Sequence, residues 1–413
     1  MAQPNVVAFP PLPRRDPGGP YVARLSVSEF RCYGQASLEA DHRPVVLSGP
    51  NGAGKTNLLE ALSFLAPGRG LRQARLSEID RRPIGGSVRD SGSELPGESA
   101  GPWAVSVRLD GPDGECVIGT GRDAGAEENA RERRLLHIDG APQRSLTGLG
   151  ERLALLWLTP QMDGLFLDSK SARRRFLDRL VASFDPGHAS RLNAYEQALS
   201  ERLRLLRGEM PAETRIADPV WLSALEQQIA EHGIALAAAR LDLVARLNRV
   251  LSEAHGVFPR PDLSILGEVE AWLADGPALA AEDRLRQRLV EARDLDAEAG
   301  RALCGPHRSD LYVRFAATHM SAADCSTGEQ KALLIAILLG QASLMAAERG
   351  RTPLLLLDEV AAHLDENRRR ALFESLLELG VQAWLTGTDR SLFAGFGERA
   401  QFFAVAEARI TRN

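Results

Sequence analysis

Gly49-Pro50-Asn51-Gly52-Ala53-Gly54-Lys55-Thr56 fills every fixed position of the phosphate-binding pattern G-x-x-x-x-G-K-[ST]. The apolar run Pro44 to Ser48 before it reads as a buried strand. Asn57 to Leu65 after it carries apolar residues at helical spacing. Strand, glycine loop and helix in that order build a phosphate cradle. The glycines let backbone N–H groups curl around a polyphosphate without Cβ clashes. The helix N-terminus adds free N–H groups and its dipole. In such a cradle Lys55 reaches the terminal phosphates of ATP, and the Thr56 hydroxyl is a ligand for Mg²⁺.

The 413-residue chain has room for two or three domains and a sizeable core. With 44% hydrophobic and 25% charged residues it is globular rather than disordered. The formal net charge of -5 lacks the basic balance common in nucleic-acid binders, so any basic surface must be local. Cys32, Cys116, Cys304 and Cys325 are scattered, with no C-x-x-C pair, which argues against a zinc site and a disulfide framework. No apolar run is expected to approach the roughly 18–20 residues of a membrane span. The proline-rich N-terminus lacks the apolar core of a signal peptide. The expected location is a reducing cytoplasm, with no membrane partner.

Along the chain, residues 1–20, with six prolines and two glycines, read as a flexible extension. Short strand-like segments follow at Val22 to Val27, Phe30 to Tyr33 and Ala36 to Leu38, as pairs feeding the loop strand. Residues 82–102, rich in Gly, Ser, Pro and Glu, read as a surface insertion with no assignable role. Trp103 to Leu109, Glu115 to Gly119, Leu135 to Gly140 and Leu153 to Thr159 are further strand candidates. From Ser169 the pattern turns helical. Pro219 to His255 carries one apolar face at spacings of three, four and seven, as one long helix or two broken near Gly233. Pro261 to Glu270 reads as a strand and Leu279 to Ala302 as helical. The domain expectation is an α/β ATPase head whose N-terminal half spans 21–182 and whose C-terminal half spans 301–413, with a mainly helical lobe at 183–300 inserted between them.

Three later segments bear on the nucleotide. Pro353 to Leu357 is a hydrophobic strand ending in Asp358-Glu359. Asp358 sits where a carboxylate holds Mg²⁺. Glu359 is placed to orient and deprotonate an attacking water. Ser326-Thr327-Gly328-Glu329-Gln330-Lys331 precedes an apolar helix, so a hydroxyl, a glycine and helix-start N–H groups make an anion site. An ordinary helix cap beginning Ser-Thr-Gly-Glu has the same appearance. The segment resembles the signature motif of the ABC ATPase superfamily, which implies that Ser326 and Gly328 cap the γ-phosphate held by the opposite subunit. By the same resemblance Gln161, in Thr159-Pro160-Gln161-Met162-Asp163, stands at the Q-loop and senses Mg²⁺ and the attacking water. Asp365, in Ala361-Ala362-His363-Leu364-Asp365, stands at the D-loop. Trp384 to Asp389 ends a strand where these ATPases place a switch residue; Thr388 is the expected one and Thr386 the alternative.

Lys55 and Ser326 stand about 270 residues apart (326 minus 55). A transporter cassette keeps these motifs closer, and chromosome-maintenance proteins separate them with long coiled coils. This intermediate spacing resembles the RecF family of bacterial recombination mediators, from about Tyr21 to the C-terminus. The family marks are Phe30-Arg31-Cys32-Tyr33, the run Gly54 to Ala61, Arg173-Arg174-Arg175-Phe176-Leu177-Asp178 and Gly305-Pro306-His307-Arg308. Departures are the 1–20 extension, the 82–102 insertion, Gln161 and Ser309 where the family usually has acids, and Val360-Ala361 in place of a more polar pair. The resemblance implies an ABC-type α/β head and a slow Mg²⁺-dependent ATPase. It also implies an ATP-driven homodimer that clamps duplex DNA near single-strand gaps in repair and replication. RecR and RecO are the implied partners, and RecA loading the outcome. The competing readings are a transporter's cytoplasmic ATPase cassette and a non-hydrolysing, nucleotide-gated interaction protein.

Arg131-Glu132-Arg133-Arg134, Arg173-Arg174-Arg175 and Arg368-Arg369-Arg370 are dense basic runs, read either as solvated faces or as phosphate contacts. Gly305 to Arg308 reads as a rigid turn or as a motif near the nucleotide or an interface. Arg72 is a candidate for approaching nucleotide or DNA.

Overall fold

The computed structural model describes residues 19–81, 101–123, 132–209 and 219–412. Most of the 1–20 extension and of the 82–102 insertion therefore lies outside the described residues, as does Arg131. By backbone contacts the chain divides into two units. The first comprises 1–163, 254–258 and 338–413; the second comprises 164–253 and 259–337, and so holds the 183–300 segment except 254–258.

The first unit holds two sheets. Strands β1 (Tyr21–Phe30), β2 (Tyr33–Glu39), β4 (Ala104–Asp110), β5 (Cys116–Arg122), β6 (Arg134–Ile138) and β7 (Ala141–Pro142) form an antiparallel sheet in the order β2-β1-β4-β5-β6-β7. Phe30 to Tyr33 is not a strand of its own, as the sequence suggested. It is the turn of the β1–β2 hairpin, with Phe30 paired to Tyr33 and Arg31 at φ 55°. Nor do these strands adjoin the loop strand. That strand, β3 (Val45–Ser48), belongs to a second sheet with β8 (Leu155–Leu158), β12 (Leu354–Leu357), β13 (Ala383–Gly387), β14 (Gln401–Ala406) and β15 (Arg409–Arg412), ordered β15-β14-β3-β13-β12-β8. Neighbours from β14 to β8 run parallel. Their continuous apolar character follows from burial on both faces.

Helix α1 (Lys55–Ser63) packs against β1, β4 and β13. Leu58, Leu59 and Leu62 share one core with Leu25, Val27 and Trp103 of the antiparallel sheet and Val45, Leu47 and Trp384 of the parallel one. The helix is buried beyond its apolar residues: Lys55, Glu60 and Ser63 are buried as well and take hydrogen-bond partners inside the unit. Among the described residues, a short α2 (Thr147–Arg152) and α10 (Glu366–Glu378) are further α-helices wholly inside this unit.

The second unit is mainly helical: α3 (Lys170–Phe184), α4 (His188–Leu206), α5 (Pro219–Glu253), α6 (Glu268–Asp275), α7 (Ala278–Glu291) and α8 (Arg293–Ala299), with a three-stranded antiparallel sheet of β9 (Pro261–Leu266), β10 (Asp310–Phe315) and β11 (Met320–Ser321). Ser169 caps α3 through the Ala172 N–H. The apolar face from Pro219 is one continuous 35-residue helix. Gly233 does not break it. A Cβ there would stand 3.1 Å from Tyr195 and 3.2 Å from Leu285, so the glycine permits close approach inside the unit.

Helix α9 (Thr327–Arg349) spans the boundary between the units. It corrects the expectation about apolar runs. Its 23 residues include a window of mean hydropathy 1.5, long and apolar enough to cross a membrane by composition. That window is 89% buried inside the protein, the signature of a core helix.

Candidate nucleotide-binding site

The polar residues singled out in the first unit gather at the carboxyl ends of the parallel strands, the edge where open α/β sheets bind ligands. The phosphate loop leaves β3 and Asp358-Glu359 leaves β12. Thr386 stands next to the end of β13 between them, and Pro160-Gln161 follows β8. The register sets these ends side by side: Leu357 lies opposite both Leu158 and Leu385, and Ser48 opposite Gly387.

Two glycines of the loop are fixed by close approach. A Cβ on Gly49, at φ 153°, would stand 2.0 Å from the Val405 carbonyl oxygen; one on Gly54, at φ 111°, would stand 2.6 Å from the Tyr33 hydroxyl. Gly54 has no side chain to cap α1, and its carbonyl accepts from the N–H groups of Asn57 and Leu58 at 3.0 and 3.3 Å. The Lys55 ammonium folds back and donates to the carbonyls of Gly49 and Pro50 at 2.7 and 2.8 Å. Burial pulls its pKa down, while Glu359 and Asp358 pull it up.

Thr56 Oγ1 lies 2.9 and 3.1 Å from the two Asp358 carboxylate oxygens, and as the hydroxyl it donates. This joins residues 302 positions apart. An aliphatic hydroxyl with a carboxylate is an oxygen-only donor set suited to a hard divalent cation. Among the described residues no group of three or more His, Cys, Asp or Glu could hold a metal. The set therefore fits an ion shared with phosphate oxygens, as Mg²⁺ is in nucleotide sites. Glu359 adopts φ 51°, ψ 25°, in the left-handed region.

The other singled-out residues fall as follows. Gln161 is exposed on the turn Pro160–Met162. Thr388 is exposed just past β13, whereas Thr386, the alternative, is fully buried and bonded to Asp358 and to the Glu359 N–H. Asp365 caps α10 by accepting from the Arg368 N–H. In the second unit, Ser326 forms a reciprocal cap with Glu329 ahead of α9. Glu329 Oε2 accepts from the Ser326 N–H at 2.9 Å and from its hydroxyl at 2.7 Å. Gly328 lies in the first turn of that helix. Within α1, Glu60 is fully buried and accepts two hydrogen bonds from Arg31, at 2.9 and 2.5 Å. Arg72 reaches the same carboxylate at 3.4 Å and Asn57 Oδ1 at 3.1 Å.

Several arginines read as solvated or DNA-facing have other partners. Arg134 donates to the carbonyls of Phe64, Ala66 and Gly68 and to the Thr120 hydroxyl, closing the C-terminal end of α1. Burial lowers its pKa to about 9. Arg173 clamps Asp310 at 2.7 and 2.8 Å, and Arg174 donates to the Ser309 carbonyl. Arg175 is local, on Ser171. Asp178 receives both Nε and Nη2 of Arg240, whose Nη1 donates to the Pro306 carbonyl. Asp178 and Pro306, one from each family-marked motif of the second unit, are thus joined through the buried Arg240. A carbonyl can only accept, so His307 Nε2 donates to Ala302 and Nδ1 accepts from the Tyr195 hydroxyl, at 3.0 and 2.7 Å.

The sequence model of the AAA domain family matches residues 24–109. The DNA replication and repair protein RecF of Agrobacterium fabrum is 48% identical over 392 residues, covering 94% of this chain and 98% of its own. This chain belongs to the RecF family. A RecF of Rhizobium etli is 46% identical over 391 residues, with 94% and 98% covered. Solved structures share the fold. The recombination mediator protein RecF with ATP, in the RecFOR pathway, superposes with a TM-score of 0.75 at 21% identity, covering 96% of this chain and 98% of its own. The Smc head domain with an extended coiled coil from Pyrococcus furiosus gives 0.50 at 15% identity, covering 95% and 96%. The fold is that of an ABC-type ATPase head carrying a mainly helical unit.

Proposed function

We propose that this RecF-family chain is an ATP-driven DNA-binding switch of recombinational repair and replication. The observation that carries the nucleotide reading is the hydrogen bond between Thr56 and Asp358, which joins the phosphate loop to the acidic strand. Lys55 and the loop N–H groups, from Gly49 to Thr56, bind the phosphates of ATP. Thr56 and Asp358, with Gln161, are the ligands proposed for Mg²⁺. That ion supplies neutralisation of phosphate charge and orientation of the γ-phosphoryl group. Glu359 accepts a proton from a water whose oxygen attacks the γ-phosphorus; the bond to ADP breaks, giving ADP, phosphate and a proton. Gln161 holds the attacking water and Thr388 faces the leaving phosphate. Turnover is slow and serves as a timer.

Two copies close on two ATP molecules, each held between Lys55 of one protomer and Ser326, Gly328 and Asp365 of its partner. Ligand that binds only the dimer stabilises it by mass action. The dimer clamps duplex DNA near single-strand gaps through phosphate contacts, works with RecR and RecO, and helps load RecA. Support comes from the family membership and from the relatives' description as DNA replication and repair proteins. The test is steady-state ATP hydrolysis with ATP-dependent binding to a gapped duplex, for wild type and Lys55→Ala. The reading expects both in the wild type and neither in the variant. ATP binding without any effect on DNA binding contradicts it.

A further inference from the structure

Strand β13 lies between the phosphate-loop strand and the acid strand, and Thr386 stands next to its end with no solvent exposure. A hydroxyl has one proton to give and lone pairs to receive. A carboxylate can only accept and an N–H can only donate, so both bonds of Thr386 have a fixed sense. Its hydroxyl donates to Asp358 Oδ1 at 2.7 Å and accepts from the Glu359 N–H at 2.9 Å. Asp358 Oδ1 also accepts from Thr56, so two threonines, one in the first turn of α1 and one on the adjacent strand β13, fix that carboxylate. Glu359 sits at φ 51°, a backbone conformation that residues with a Cβ seldom adopt without a partner to hold it. The bond to Thr386 is made by the N–H of that residue.

We infer that Thr386 is a positioning residue for hydrolysis: a single hydroxyl orients the Asp358 carboxylate and fixes the backbone angle from which the Glu359 side chain leaves the strand. This rests on the roles of Asp358 and Glu359 proposed above. It gives the buried Thr386, rather than the exposed Thr388, the task of holding the two acids in register.

The experiment compares wild type with Thr386→Val, which keeps the shape and removes both hydrogen bonds, and Thr386→Ser, which keeps the hydroxyl. In Thr386→Val, kcat for ATP falls roughly 10- to 100-fold, the range for losing an orienting partner of a reactive group. KM changes little, because Lys55 and the loop are untouched. Thr386→Ser stays close to wild type. Hydrogen exchange of the Glu359 amide is read in parallel and needs no turnover: it is protected in wild type and Thr386→Ser, and fast in Thr386→Val. Thr386→Ala replaces Thr386→Val if that variant does not fold. Equal kcat in the Val and Ser variants, or a Glu359 amide still protected in Thr386→Val, overturns the inference. A wild type that does not hydrolyse ATP removes the role given to Glu359, and the exchange comparison then decides the positioning claim by itself.

Discussion

At the ends of the parallel strands, Asp358 gathers two threonine hydroxyls, and among the described residues no cationic side chain is hydrogen-bonded to its carboxylate. In the helical unit, Arg202 is saturated: it donates to Glu226 at 3.0 Å, to Asp296 at 2.6 Å and to the Leu289 carbonyl at 2.5 Å, with all three charged groups buried. Arg293 adds a second cation on Glu226. Both clusters bring distant segments together around carboxylates. The first bonds its acid to hydroxyls, with the Lys55 ammonium acting on it only through space, at the edge where open α/β sheets bind ligands. The second balances two cations against two acids and closes. The difference separates chemistry from architecture. A buried carboxylate met only by hydroxyls is poised for an incoming cation. One met by guanidinium groups is already satisfied.

That contrast breaks if the closed cluster can be opened cheaply. Arg202→Ala leaves Glu226 and Asp296 without their shared cation, and is expected to cost about 3–5 kcal/mol of stability, by denaturant unfolding. A loss under about 1 kcal/mol would show that the cluster is not structural. The open cluster is tested from the other side. Glu359→Gln is expected to lower kcat for ATP about 100-fold or more while unfolding as the wild type does. Retained turnover would remove Glu359 from the chemistry. Arg134→Met removes the donors for three carbonyls at the end of α1, with an expected loss of about 2 kcal/mol. Unchanged stability would mean that water replaces the guanidinium there.

Most of the open cluster was legible in the sequence as a set of neighbours, because its residues lie in short runs whose place in the fold is local: a loop between β3 and α1, two acids at the end of β12. The closed clusters were not. Arg173 finds its partner 137 residues away, and Arg240 finds Asp178 62 residues away, so no local pattern shows that Arg173 is taken up by an ion pair. Arg134 was hidden for the same reason, since its acceptors lie at Phe64 to Gly68. Thr386 and Thr388 share the parity of one strand, and only depth along β13 separates them. Phe30 to Tyr33 alternates like a strand, yet a two-residue turn was needed to return β2 against β1.

The smallest effect concerns pH. Burial holds the pKa of His307 below its ordinary value, with Arg174 and Arg308 adding to the depression. The unfolded chain therefore takes up a proton before the folded one does. Stability contributed by the neutral ring is complete above the unfolded pKa of about 6.5, and is lost as pH falls through the folded value. Unfolding free energy should decline from pH 7.5 to 5.5, and His307→Gln should flatten that slope. An unchanged slope in the variant would assign the decline to other groups.

The measurement that bears most directly on the whole account is the solution mass of Glu359→Gln with and without ATP and Mg²⁺, repeated with a gapped duplex. The account predicts a monomer that becomes a dimer on adding ATP and Mg²⁺, and a dimer that retains the duplex at low salt and releases it as salt rises. A protein that binds ATP, stays monomeric and ignores the duplex would contradict it.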